Sequence, residues 1–102
     1  MSTALVLPAE LTIYAVGALR AAWLDWLDAC VAAGEPATAA VDAHAVAEVD
    51  AAGVQLIAAL ARSAGQRGLA WQLADPSPVL RLALAALGCE RLADNLTPPS
   101  AP

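Results

Sequence analysis

Short extended runs and helical stretches take turns along this chain, and that alternation restricts its fold more than any other feature. Residues 4–7, ALVL, read as a strand that Pro8 stops. From Leu19, apolar residues recur at spacings of three and four: Leu19, Trp23, Trp26 and Cys30, with Leu24, Leu27 and Val31 beside them. Asp25 and Asp28 share the opposite face, Gly34 ends the helix, and Pro36 bars its restart. Residues 38–42 and 45–49 read as extended chain, with a break at Asp42–His44. After Asp50 the period turns helical again: Val54, Ile57, Ala58 and Ala61 form a stripe flanked by Leu56 and Leu60, and Arg62 and Ser63 close it. Gly65 and Gly68 bracket a turn, and residues 69–73, LAWQL, give a further strand. Then comes DPSP, where Ser77 suits an N-cap and Pro78 the first helical position. Val79, Leu80, Ala83, Leu84 and Leu87 form the last stripe, ended by Gly88. Residues 11–16, LTIYAV, stay open: their β-branched and aromatic content fits a strand, while Thr12 fits the N-cap of a helix.

Strand, helix, strand, helix, strand, helix is the signature of α/β layering. Both crossovers are long enough to join parallel strands. The expectation is a small mixed sheet of three to four strands, with helices packed mainly on one face. With 102 residues, one domain is predicted over 1–102, its core about 4–92, with 93–102 a flexible tail.

The composition removes several function classes. Hydrophobic residues make up 60% of the chain, so it is not a disordered segment. Net charge is −5, lysine is absent, and the arginines stand singly. Nucleic acid and anionic membrane surfaces need clustered cations, so neither is an expected partner. The longest charge-free stretch, 51–61, is too short for a bilayer span, and direct membrane insertion is not expected. The N-terminus has neither a cationic start nor a long apolar segment, which leads to the expectation of a cytoplasmic protein.

Catalytic and metal chemistry find little to stand on. No nucleophile sits with histidine and acid at workable spacing, and GQRG lacks the Lys-Ser/Thr of a phosphate loop. Cys30 and Cys89 lie in apolar, helix-like segments and read as small hydrophobes. His44 reads as a surface residue and Asp42 as a turn former. No catalytic residue, metal ligand or cofactor is assigned. Trp23 and Trp26, three apart, read as core or core edge. The sharper alternative gives one of them to an exposed patch for a partner or a homodimer.

One stretch raises a question of its own. In VDAAGVQLI, 49–57, an acid and a glycine are separated by nothing but two alanines. Together with LPAEL, a strand ending in Asp42, the run VDAAGVQLIAALARSAGQRG and the later DPSPVLRLALAALG, it resembles a STAS domain over about residues 4–92. The resemblance is to the short variety that includes the STAS subunit of the Mla lipid-asymmetry transporter, and more widely to the anti-sigma-factor antagonists.

The resemblance implies a non-catalytic interaction module. In the antagonists a serine or threonine just before the glycine is phosphorylated, and the added charge breaks the complex. Here that position is Ala52, so the switch is lost, and Ser63 and Ser77 are poorly placed to replace it. By resemblance, Asp50, Ala51, Ala52, Gly53 and Val54 form the contact loop. The implied partner is an anti-sigma kinase-like protein or an ABC ATPase. The short chain and its missing first strand favour the ATPase. The alternative is a small-ligand or lipid-binding STAS domain. From the residues alone, Asp50 is an N-cap, and Gly53 allows close approach either by a partner or by the chain's own sheet.

Overall fold

Alternate burial sets the sheet. The computed structural model describes residues 4–34 and 38–94. In chain order it has β1 (Leu5–Val6), β2 (Glu10–Leu11), α1 (Ile13–Ala33), β3 (Thr38–Asp42), β4 (Glu48–Val49), α2 (Ala51–Gln66), β5 (Ala70–Ala74), α3 (Pro78–Ala86) and a 3₁₀ helix, Glu90–Ala93. Ala39 and Val41 of β3 and Trp71 and Leu73 of β5 are buried, while the residues between them face the other way. β1, β3 and β5 form one sheet in that order, and β2 and β4 pair separately. Among the described residues all three pairs are parallel. The α/β class is as the sequence predicts, and the strands pair parallel because each pair is joined through a helical crossover.

Half of the buried core comes from α1, α2 and α3. Trp23, Leu27 and Cys30 of α1, Val54, Ile57 and Leu60 of α2, and Leu80 and Leu84 of α3 are buried with Val41, Trp71 and Leu73 of the sheet. Leu60 is therefore in the centre of its stripe rather than on its flank, and Ala58 and Ala61 are only half-buried. Val79 and Leu87 are exposed, so the stripe of α3 is narrower than its sequence suggests. Trp71 also donates Nε1–H to the Leu92 carbonyl at 2.8 Å, which fastens the 3₁₀ helix to β5.

Several boundaries move. β4 is confined to 48–49 rather than 45–49, although Val46 is buried in the core all the same. The Ala47 and Glu48 amides both donate to the Ala9 carbonyl, which ends the ladder there. α2 continues past Ser63 to Gln66, and Gly65 lies inside it. The open stretch 11–16 divides between the two readings: Leu11 closes β2, and Ile13 begins α1, six residues before the apolar period is visible. Ser77 caps α3 as expected, its hydroxyl oxygen accepting from the Leu80 amide at 3.2 Å. Of the tail expected at 93–102, Ala93 instead closes the 3₁₀ helix and Asp94 is its C-cap, while residues 95–102 lie outside the described residues.

Candidate functional site

Two helices begin side by side because β2 and β4 pair in parallel just before them. Leu11 is opposite Val49 in that pair, so Thr12 and Asp50 come to equivalent places. Both have extended backbone and occupy N-cap positions. Thr12 does not cap its own helix with its side chain. Its hydroxyl donates to Glu10 Oε2 at 2.7 Å instead.

Asp50 serves both helices. Oδ1 accepts from the Gly53 amide at 3.0 Å, and Oδ2 accepts from the Ile13 amide at 2.9 Å. Each helix start presents amide hydrogens without intrahelical partners, and a carboxylate has enough lone pairs for two of them. The Ile13 amide, and then the Gly53 amide, hold the Asp50 carboxyl below its ordinary value of 3.8. The N-cap expected from sequence is present. The second bond, to an amide 37 residues away, is the part that local sequence could not give.

Gly53 has a specific neighbour. A Cβ there would overlap the Leu11 carbonyl oxygen and lie 2.8 Å from the Leu11 carbonyl carbon. Of the two roles open to it in the sequence, the structure fills the internal one: α2 packs on the backbone of β2. Gly53 and Val54 are both buried, so of the five residues expected to form a contact loop these two lie beneath the surface. Ala51 is exposed, and Asp50 and Ala52 are half-buried. Beside them, at the start of α1, Ile13 is 58% exposed and Tyr14 is 92% exposed. These two residues went unassigned to any surface in the sequence, because the helix start was hidden in the open stretch. Trp23 is buried and Trp26 half-buried, so the exposed large apolar residues of α1 are Ile13, Tyr14 and Val31 rather than either tryptophan.

Below this corner the α1–α2 seam is grooved. An open depression of about 330 Å³ is lined by Ile13, Val16, Gly17, Arg20, Ala52 and Leu56, among others. A tighter dimple of about 70 Å³ follows, against Trp23, Leu24 and Leu60. A wider groove of about 430 Å³ opens on another side, between Ala58, Ala61 and Arg62 of α2 and Cys89, Arg91 and Leu92.

At the ends of β3 and β5 a different cluster forms. His44 Nδ1 lies 2.7 Å from Asp42 Oδ1, and the His44 amide donates to the same oxygen at 3.1 Å. Asp42 thus has the turn role expected of it, and it also pairs with His44 two residues on, a contact that neither residue type announces alone. Their hydrogen bond lowers the Asp42 pKa and raises that of His44. Cys30 is buried and Cys89 half-buried, and neither is part of a disulfide. Among the described residues, no group of three His, Cys, Asp or Glu side chains could hold a metal ion. Among them, too, no helix is long and apolar enough to cross a membrane.

A family model described as "Mlab, STAS domain" matches residues 2–97. The chain belongs to the STAS domain family. No curated protein and no solved structure matches it. Membership gives the paired helix starts their setting, since STAS domains are in general interaction or regulatory modules without catalysis of their own. In this STAS domain the residue before the buried glycine, Ala52, carries no hydroxyl and faces the groove beside α1.

Proposed function

We propose that this STAS domain is a non-catalytic cytoplasmic adaptor that docks a protein partner where α1 and α2 begin. The observation that carries the reading is the Asp50 carboxylate bound to both helix starts. It holds Ala51 and Ala52 level with Ile13 and Tyr14, so small and large apolar side chains share one exposed corner. An apolar patch supported by a rigid polar clamp suits docking, because little ordering is left for the moment of binding. Asp50, Gly53 and Val54 set the geometry. Ala51, Ala52, Ile13 and Tyr14 are the contact surface. The partner is an ABC ATPase or an anti-sigma kinase-like protein, and the family description favours the ATPase.

With alanine at position 52, docking is not under phosphorylation control at that position. Ala52→Glu tests this directly, since it places a charge where relatives with a hydroxyl would gain one. Purification of tagged wild type from native cells should bring down an ATPase or kinase-like partner, and Ala52→Glu should lose it while keeping its circular dichroism spectrum. Equal recovery by both proteins would rule the corner out as the interface. The alternative use of the domain, binding a small ligand or lipid, would fall to the groove lined by Arg62, Cys89 and Arg91; dodecanoate should then shield Cys89 from a maleimide, and unchanged labelling would dismiss it.

A further inference from the structure

We infer that the partner lays an acidic amphipathic helix along the α1–α2 seam, with one carboxylate on Arg20; this rests on the docking reading above. The two depressions on the seam are one track, since Arg20, Leu56 and Ala59 line both. The track also continues the proposed corner, because Ala52 and Ile13 line its open end.

Its shape selects a helix. The inner α1 residues of the two depressions, Val16 and Trp23, are seven residues apart. On a helix that is about 10 Å, the repeat between positions i and i+7 of a helix lying alongside. The dimple at Trp23, about 70 Å³, has room for one aliphatic side chain, given that a water needs roughly 10–15 Å³ on this measure. The small residues Gly17, Ala52 and Ala59 leave the floor low enough for a helix to come close.

Its charge selects the sequence of that helix. Both depressions are lined by apolar residues with Arg20, Gln55 and Ser63, and by no carboxylate. Arg20 is exposed and makes no ion pair among the described residues, whereas Arg67 bonds Asp28 at 3.2 Å. A guanidinium between two apolar depressions with no carboxylate on their lining favours an incoming carboxylate at that point, although the chain as a whole carries a net charge of −5. The segment that fits has apolar anchors at i and i+7 and Asp or Glu at i+3 or i+4.

A photo-crosslinking residue at Gln55, which is exposed and lines the track, reads the occupant in native cells. Mass spectrometry should place the crosslink in a partner segment with that pattern. Arg20→Glu should cut the yield about tenfold, with Arg20→Gln in between. A synthetic peptide of the captured segment should bind wild type, and its acid→Lys version should prefer Arg20→Glu. A crosslink within a second copy of this chain, a segment without the acid, no crosslink, or a yield indifferent to Arg20→Glu would each overturn the inference. If Ala52→Glu abolishes partner recovery while Arg20→Glu does not, the docking reading survives and this one falls. If neither changes recovery, both fall.

Discussion

Asp50 uses both carboxylate oxygens on backbone amides of two different helices, so its removal should cost more than an ordinary cap. Asp50→Ala should lower the melting temperature by on the order of 5 °C or more. Asp50→Asn, with one acceptor oxygen in place of two, should fall between. Because the folded Asp50 pKa is lowered from 3.8, its stabilisation is present above that value and is lost as pH falls through the folded pKa. The difference in stability between wild type and Asp50→Ala should therefore shrink in acid, and a constant difference down to full protonation would contradict the clamp. His44 behaves in the opposite sense. Its pKa is raised from 6.5 by the hydrogen bond to Asp42, so its contribution is complete below 6.5 and fades as pH rises through the folded value. It is the only histidine, so one NMR titration reads it. The midpoint should lie above 6.5 and return toward it in Asp42→Asn. The N-cap role of Asp50 is legible in VDAAG itself. The amide of Ile13 is not, because that contact exists only once β2 and β4 are paired.

At the scale of elements, the α2–β2 contact is the most constrained. Gly53 brings α2 against the Leu11 carbonyl, where even a methyl group overlaps backbone. Gly53→Ala cannot be relieved by rotating a side chain, so one element must move, at about 1–3 kcal/mol. Helix propensity works the other way, favouring alanine by about 1 kcal/mol. The steric term should win, and a chemical denaturation series showing Gly53→Ala equal to or more stable than wild type would contradict the packing described. The three helical stripes and strands β3 and β5 were readable because apolar spacing reports burial in elements packed on one side. β1 and β4 lie inside the extended runs 4–7 and 45–49 that the sequence shows, but at two residues each they carry no period to fix their bounds, and β2 falls at the edge of the open stretch. The first turns of α1 were hidden for a related reason: Ile13 and Tyr14 are apolar but face solvent, so the stripe that marks the helix begins only at Leu19.

For the molecule as a whole, parallel pairing and one clamp converge on a single corner. β2 beside β4 starts two helices at the same level, Asp50 fixes them together, and the seam beneath runs from Ala52 to Trp23. A sequence can give the family and the motif, but which loop residues reach solvent depends on that assembly. Of Asp50, Ala51, Ala52, Gly53 and Val54, the last two are buried, and the exposed apolar residues beside the others, Ile13 and Tyr14, come from a distant part of the chain. The most direct test of the docking claim is amide hydrogen exchange of this STAS domain with and without its captured partner. The account predicts slowed exchange in residues 13–20 and 51–59, with β5 and α3 unchanged. Slowing confined to β5, α3 or the Arg62–Arg91 groove, with the two helix starts unaffected, would contradict it.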